Sequence, residues 1–240
     1  MPLVPEHIVA LLACARIGAV HNIVYGGFGA SALNARIRDS KAKLVITSDV
    51  GYRRGKRVAL KTIVDEAVIN APSVEKIIVL RRSDPGPPEL FHEMEVDFYE
   101  VLESGDATCE ATVMDAEDPL FILYTSGTTG QPKGIIHTCA GYMVGTYYTT
   151  KYVFDMKEND VHWCTADPPG WITGHSYIVY GPLAVGATVL ITETVPDYPD
   201  PGIFWRIVED FGGVTIFYTA PDGHQDVYAG WRRVAGQIQS

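Results

Sequence analysis

The residues best suited to chemistry form a segment rich in glycine and hydroxyl side chains, at positions 124–134. It reads Tyr-Thr-Ser-Gly-Thr-Thr-Gly-Gln-Pro-Lys-Gly and follows directly on an apolar run. Glycines let backbone N–H groups close around an anion, hydroxyls donate further hydrogen bonds, and a lysine supplies a positive charge for a phosphate. An ordinary surface turn is the alternative. The segment is not a Walker A loop, because Lys133 is followed by Gly134 rather than by serine or threonine.

The order of this segment resembles the signature of adenylate-forming enzymes, Thr-Ser-Gly-Ser/Thr-Thr-Gly-x-Pro-Lys-Gly. The resemblance implies that the loop holds the β- and γ-phosphates of ATP while a carboxylate attacks the α-phosphorus and pyrophosphate leaves. It implies Mg²⁺ bridging phosphate oxygens, no metal-ligating side chain in this chain, and catalytic roles for Thr125 and Lys133. The implied phosphate-binding residues are Thr125, Ser126, Gly127, Thr128, Thr129, Gly130 and Lys133.

A second segment, at positions 163–177, is rich in aromatic residues and contains one histidine. From the residues alone, a packed aromatic corner with His175 as a structural hydrogen-bonding group is the ordinary interpretation. The order also resembles Trp-Cys-Thr-Ala-Asp-x-Gly-Trp-Val/Ile-Thr-Gly-His-Ser-Tyr of acetyl-CoA synthetases, except that this chain has two prolines where the family has one residue. The resemblance implies that Trp171, Ile172 and Thr173 border a small acyl pocket and that Thr173 also lies near coenzyme A. Discrimination there would amount to about 1–3 kcal/mol per methylene.

The same resemblance assigns a coenzyme A contact to a basic turn. Arg53, Arg54, Gly55 and Lys56 match the residues that meet the phosphorylated adenosine end of coenzyme A, and Asp197 falls where the family places another contact. A solvated charge cluster is the alternative for such a turn.

A rival pattern lies near the N-terminus. Gly27 and Gly29 fit Gly-x-Gly-x-x-Ala between a predicted strand and a predicted helix, with Asp49 about twenty residues further on. This is the dinucleotide-binding fingerprint, and it makes an NAD-binding oxidoreductase the less favoured alternative.

Composition limits the classes of protein that remain. The chain has 240 residues, a formal net charge of -10, 47% hydrophobic and 20% charged residues. An acidic surface argues against nucleic acid as a partner, although local cations can still hold an anionic substrate. The cysteines are scattered without a paired motif, and no apolar run reaches the length of a membrane span. We therefore expect a cytoplasmic protein without nucleic-acid or membrane partners. The resemblance implies acetate, ATP and coenzyme A as its small-molecule partners, and its oligomeric state is open.

The elements that must position these segments alternate between strand and helix. Apolar runs at residues 20–25, 43–47, 76–80, 120–124, 134–138, 161–165, 188–192 and 215–218 predict strands. Helical patterns at residues 30–39, 58–70, 176–184 and 203–211, and one running through residue 152, lie between them. Such alternation predicts an α/β fold of mostly parallel sheets flanked by helices. The resemblance implies that this fold is part of the large N-terminal domain of an adenylate-forming enzyme.

The resemblance stops at Pro221. Family members continue Thr-Ala-Ile-Arg, whereas this chain continues Asp-Gly-His-Gln-Asp-Val-Tyr. The codons GAC GGC CAT CAG GAT GTT TAT, followed by the G of an alanine codon, encode Thr-Ala-Ile-Arg-Met-Phe-Met once the first base is dropped. We therefore expect residues 1–221 to be a partial AMP-binding domain and residues 222–240 a frameshifted tail. The encoded activity would be AMP-forming acetate–CoA ligation, with a catalytically inactive chain that at most binds nucleotide as the alternative.

Overall fold

The computed structural model describes residues 1–83, 93–125, 132–165, 170–195, 198–212 and 214–217. The chain divides into two compact units. The first comprises Met1–Gly51 and Arg57–Tyr142, and the second comprises Tyr52–Lys56 and Met143–Ser240. Both contain parallel sheet and helices, which confirms the α/β class. In the described part of the chain, no helix has the length and apolar character needed to cross a membrane.

The elements have the following bounds. The helices are α1 Pro5–Arg16, α2 Ala30–Ser40, α3 Leu60–Val68, α4 Phe98–Ser104, α5 Cys139–Tyr148, α6 Ile172–Gly174, α7 Gly181–Val185 and α8 Ile203–Phe211. The strands are β1 Leu44–Ser48, β2 Gly51–Arg53, β3 Lys56–Val58, β4 Lys76–Leu80, β5 Glu95–Asp97, β6 Pro119–Thr125, β7 Lys133–Thr138, β8 Val161–Cys164, β9 Thr188–Val189 and β10 Val214–Phe217.

The first unit contains a parallel sheet of order β1-β4-β5 with helices on both faces. Val45 and Ile77 pack with α2 and α3, while Ile46 and Ile78 on the opposite face pack near α1 and α4. Successive side chains of a strand point to opposite faces, so the part of a strand covered by helices on both sides must be apolar, as residues 77–80 of β4 are. The same unit holds the antiparallel hairpin β6–β7.

The second unit contains a parallel sheet of order β10-β8-β9. Trp163 of β8 is 2% exposed and packs its ring edge-on against Phe204 of α8, with a centroid distance of 4.6 Å. Two helical stretches of this unit contain π-helical turns. One follows α5 at Thr149–Val153, and the other, His175–Tyr180, connects α6 to α7.

Some predicted elements differ from the structure. Residues 20–25 do not form the predicted strand, since the only ladder contact described there is an isolated bridge between His21 and Phe121. The strand predicted at residues 188–192 is shortened to Thr188–Val189. The helix predicted at residues 58–70 begins and ends two residues inside those bounds, at Leu60–Val68. By contrast, the helix at residues 203–211 has the predicted bounds.

Candidate functional site

The predicted phosphate loop connects the two strands of the β6–β7 hairpin. Thr125 is the last residue of β6, Lys133 is the first residue of β7, and the two are partners in the antiparallel register. The two ends of the loop therefore lie side by side in the sheet, with the exposed hydroxyl side chain of Thr125 beside the exposed Lys133. This strand–loop–strand connection differs from the strand–loop–helix of a Walker A site. Ser126, Gly127, Thr128, Thr129 and Gly130 lie outside the described residues.

The strand that leads into this loop is tied to helix α2. Tyr124 Oη donates a hydrogen bond to Asp39 Oδ2 at 2.5 Å, and the Arg36 guanidinium lies over the Tyr124 ring at 5.4 Å from its centroid. Burial raises the pKa of the Tyr124 phenol, and the hydrogen bond to Asp39 raises it further, so the hydroxyl stays protonated and donates. Tyr124 directly precedes Thr125, so these contacts fix where the loop begins.

Sequence reasoning did not identify Arg36 and Asp39 as residues that position the loop. Their spacing of three residues on α2 places both on one side of that helix, but 85 residues separate Asp39 from Tyr124. No pattern within a short segment predicts a contact between residues so far apart along the chain.

The predicted acyl-pocket residues lie at the start of a continuous helical stretch, residues 172–185. Trp171 and Ile172 are 50% and 40% exposed, while Thr173 is half-buried. Below them His175 is fully buried, and its Nδ1 lies 3.0 Å from the Trp171 carbonyl oxygen. This placement agrees with the predicted structural role of His175. The exposed side chains of Trp171 and Ile172 thus lie next to a buried turn of helix.

Below these residues, the start of α7 packs closely on the π-helical turn that follows α5. A Cβ on the buried Gly181 would overlap Thr150 Oγ1 and lie 2.6 Å from the Ser176 carbonyl oxygen. The Thr150 hydroxyl donates to the Thr146 carbonyl at 2.8 Å. His162 of β8 is fully buried with its Nε2 2.9 Å from the Tyr177 carbonyl oxygen, and burial lowers its pKa. These contacts fix the helical stretch on the sheet of the second unit.

The predicted basic turn is the tight hairpin between β2 and β3. Arg54 and Gly55 both have positive φ, 52° and 71°, which is the conformation of a type I′ turn. Arg53, Arg54 and Lys56 are exposed. A Cβ on Gly55 would overlap Tyr198 Oη, so Tyr198 lies directly against the turn.

Asp197 lies outside the described residues, and its chain neighbour Tyr198 is the residue in contact with Gly55. The structure therefore brings Tyr198, the residue after Asp197, to the turn that carries Arg53, Arg54, Gly55 and Lys56. The phosphate hairpin and the acyl-pocket residues belong to different units, the first and the second respectively.

The carboxylate of Asp49 already accepts hydrogen bonds from other residues of the chain. It accepts hydrogen bonds from the backbone N–H groups of Val50, Arg82 and Ser83 at 2.7, 2.8 and 2.9 Å, and from the Ser83 hydroxyl at 2.5 Å. In a dinucleotide-binding fold this carboxylate would accept from a ribose hydroxyl. Its four intramolecular donors argue against the oxidoreductase alternative.

Comparison with known proteins identifies the family. A family model described as AMP-binding enzyme matches residues 1–236. This chain belongs to the AMP-binding enzyme family. The phosphate-loop order and the α/β fold are both those expected of an AMP-binding enzyme.

Curated relatives of this AMP-binding enzyme include acetyl-coenzyme A synthetases. That of Deinococcus radiodurans is 56% identical over 222 residues, which cover 92% of this chain and 34% of the relative. That of Methanothrix thermoacetophila is 52% identical over 221 residues, which cover 92% of this chain and 33% of the relative. The chain thus spans about a third of the length of these relatives.

A solved structure is also similar. Acetoacetyl-CoA synthetase from Streptomyces lividans matches with a TM-score of 0.84 at 27% identity, and the match covers 98% of this chain and 34% of that one. The likeness extends to almost all of the chain and again to about a third of the solved protein.

Across the described residues, no three His, Cys, Asp or Glu side chains are grouped so that they could hold a metal ion. Mg²⁺ prefers oxygen ligands and commonly binds through substrate phosphates and water with few protein ligands.

Proposed function

We propose that this chain provides the ATP phosphate loop, the acyl-pocket wall and a coenzyme A contact of an AMP-forming acetate–CoA ligase. The observation that carries the proposal is the loop order at residues 124–134, together with the register pairing of Thr125 and Lys133 at its two ends. The close relatives named acetyl-coenzyme A synthetase support acetate as the acid. We infer a cytoplasmic location from the same family assignment.

The reaction has two steps. An acetate oxygen attacks the α-phosphorus of ATP, the bond to the pyrophosphate oxygen breaks, and acetyl-AMP forms. The coenzyme A sulfur, after losing its proton, then attacks the acetyl carbonyl and AMP leaves. Bound Mg²⁺ would neutralise phosphate charge in the first step.

The phosphate loop contributes positioning and charge to the first step. Lys133 places an ammonium group where pyrophosphate gains negative charge, and Thr125 adds a hydroxyl donor beside it. Because Thr125 and Lys133 are partners in the β6–β7 ladder, the hairpin sets the distance between their backbones. Ser126, Gly127, Thr128, Thr129 and Gly130 are proposed to complete the cradle with backbone and hydroxyl donors.

The acyl group is proposed to lie against Trp171, Ile172 and Thr173. The exposure of Trp171 and Ile172 leaves both side chains available to line a pocket, and the buried turn below them holds them in place. A β-branched wall limits the space beside the reacting carboxylate to small acids.

Coenzyme A is proposed to bind at the β2–β3 turn through Arg53, Arg54, Gly55 and Lys56, with Thr173 and Asp197 as further contacts. Exposed cations on a tight turn can supply positive charge to a phosphate. The contact between Gly55 and Tyr198, next to Asp197, supports the grouping.

A second candidate is a chain that binds nucleotide but does not turn over. This candidate is supported by the length of the chain, which spans about a third of its curated relatives. Acetate-dependent exchange of labelled pyrophosphate into ATP separates the two. Exchange at the rate of a full-length relative supports the ligase, whereas ATP binding without exchange supports the inactive binder. Absence of both overturns the proposal.

We further propose that residues 222–240 are the product of a shifted reading frame and that the partial AMP-binding domain is residues 1–221. The codon arithmetic that restores Thr-Ala-Ile-Arg supports this boundary, as does the 92% share of the chain aligned with its relatives. The family match itself extends to residue 236. Resequencing the gene downstream of the Pro221 codon tests it, and a sequence in which no single-base change restores Thr-Ala-Ile-Arg overturns it.

A further inference from the structure

Helix α2 contains a buried cation that has no acidic partner in the described part of the chain. Arg36 is 8% exposed, and its Nη1 donates a hydrogen bond to the Ala32 carbonyl oxygen of the same helix at 2.7 Å. Among the described residues, no carboxylate forms an ion pair with its guanidinium. By contrast, the buried Lys61 pairs with both Asp65 and Glu95. Because burial of a charge is costly unless the charge is paired, the Arg36 guanidinium needs another source of compensation.

Two aromatic rings compensate part of this charge. The guanidinium carbon of Arg36 lies 4.7 Å from the centroid of the Phe28 ring and 5.4 Å from that of the Tyr124 ring. A cation over the face of a ring is attracted by the ring quadrupole, but the ring itself is neutral. Burial lowers the pKa of the Arg36 guanidinium, so the rings do not fully replace the water that the cation has lost. The site retains positive charge that a bound anion would compensate.

The Tyr124 ring connects this cation with both ends of the phosphate loop. Tyr124 directly precedes Thr125, and its partner in the ladder is Gly134, just past the other end of the loop. A Cβ on Gly134 would lie 3.2 Å from Tyr124 Cζ, so the ring lies across the backbone of β7. Chain geometry then places the guanidinium within about 13 Å of the Thr125 Cα atom. A buried charge acts over such a distance, because burial limits its screening by salt.

The opposing charge in this part of the molecule is that of Asp39, one turn further along α2. Its Oδ2 accepts the hydrogen bond from Tyr124 Oη at 2.5 Å, but the residue is exposed. Water and salt screen an exposed charge more than a buried one. The buried Arg36 therefore contributes more to the electrostatic potential at the loop than the exposed Asp39 does.

We propose that Arg36 is a positioning residue of the phosphate site, which holds the Tyr124 ring at the base of the loop and supplies a buried positive charge that nucleotide phosphates compensate. The exposed Lys133 would meet the phosphates directly, whereas Arg36 acts through Tyr124 and through space. Charge fixed in advance in this way stabilises an anion without rearrangement when the ligand arrives. The inference rests on the proposed assignment of the loop to the phosphates of ATP.

Isothermal titration of MgATP into the 240-residue chain and its variants tests the proposal. Arg36→Met removes the charge and keeps an unbranched side chain, and we expect the affinity to fall about three- to tenfold. Arg36→Lys keeps the charge and should restore most of the affinity. Arg38→Met, at an exposed cation of the same helix, is the matched control and should change the affinity by less than about twofold.

A variant of the opposite sign separates charge from packing. Asp39→Asn removes the negative charge but keeps an oxygen that accepts from the Tyr124 hydroxyl, so we expect the affinity for MgATP to rise about twofold. A role of α2 in packing alone predicts no gain. Urea unfolding establishes whether each variant folds, and if Arg36→Met does not, the sign of the change in Asp39→Asn still decides.

Lys133→Ala, measured beside these variants, separates this inference from the proposed function. If Lys133→Ala weakens binding while Arg36→Met does not, or if Asp39→Asn brings no gain, the role of Arg36 alone is overturned. Equal loss in Arg36→Met and Arg36→Lys also overturns it, because the charge would then not matter. If Lys133→Ala binds MgATP as tightly as the unaltered chain, or if the unaltered chain does not bind it, the proposed phosphate site is wrong and this inference is wrong with it.

Discussion

Among single residues, Lys133 stands exposed at the start of β7 and opposite Thr125 across the ladder. Lys133→Ala removes a cation that the proposed function places on the ATP phosphates. A hydrogen bond to a charged group is worth about 1.5–3 kcal/mol, so we expect MgATP to bind about ten- to a hundredfold more weakly. Isothermal titration measures the change. Lys157→Ala, at an exposed lysine of the second unit, is the control, and equal affinity of both variants would contradict a role for Lys133.

Asp49 makes folding sensitive to acid. Burial of the carboxyl raises its pKa, but the four hydrogen bonds from Ser83, Arg82 and Val50 outweigh this and lower the pKa below its usual value. The unfolded chain therefore binds the proton more readily than the folded one. The stabilisation from this carboxylate is full above the unfolded pKa, about 4, and is lost as the pH falls through the lower folded pKa.

We therefore expect Asp49→Asn to lower the free energy of unfolding by about 1–3 kcal/mol at neutral pH. The difference from the unaltered chain should shrink as the pH falls below about 4. Urea unfolding across this pH range measures it, with the exposed Asp106→Asn as a control expected to have little effect at any pH. A difference that does not vary with pH would refute the electrostatic account.

At the scale of elements, the sequence predicts the helices and strands whose apolar pattern lies within one short segment. The apolar period of α8 gives its bounds, and the run at residues 76–80 gives β4. Residues 20–25 have an equally good strand pattern, but a strand also needs backbone partners, and a pattern does not show whether they are present. The π-helical turns and the Tyr124–Asp39 contact depend on neighbours far along the chain, so no local signal reveals them.

The contact between α7 and the π-helical turn Thr149–Val153 gives an element-scale prediction. Gly181→Ala places a methyl group against Thr150 Oγ1 and the Ser176 carbonyl, and overpacking of this kind costs about 1–3 kcal/mol. Chemical denaturation should show this loss. Gly145→Ala is the matched control, because a Cβ at Gly145 meets nothing within 4 Å and alanine in an exposed helix is favoured by up to about 1 kcal/mol. Equal stability changes in the two variants would show that α7 and this turn are not tightly packed.

The β2–β3 turn gives a second prediction at this scale. Replacing both Arg53 and Lys56 by alanine should weaken coenzyme A binding while changing the affinity for dephospho-coenzyme A much less, since the proposed contact is with the phosphorylated adenosine end. Binding at this exposed turn should also weaken with added salt, because solvent-exposed charges are screened. Loss of affinity for both ligands to the same extent would place the phosphate elsewhere.

At the scale of the whole molecule, the proposed domain boundary predicts which C-terminal residues stabilise the fold. A shifted reading frame yields residues without the apolar pattern that fits a core, so deletion of residues 222–240 should change the free energy of unfolding by less than about 0.5 kcal/mol. A longer deletion after Phe211 should be destabilising, because it removes β10, which pairs with β8 and whose Val214 packs near Trp163. Urea unfolding of the two truncated chains beside the full chain distinguishes these effects. A large loss from the shorter deletion would mean that residues 222–240 pack as part of the domain, and the boundary at Pro221 would then be wrong.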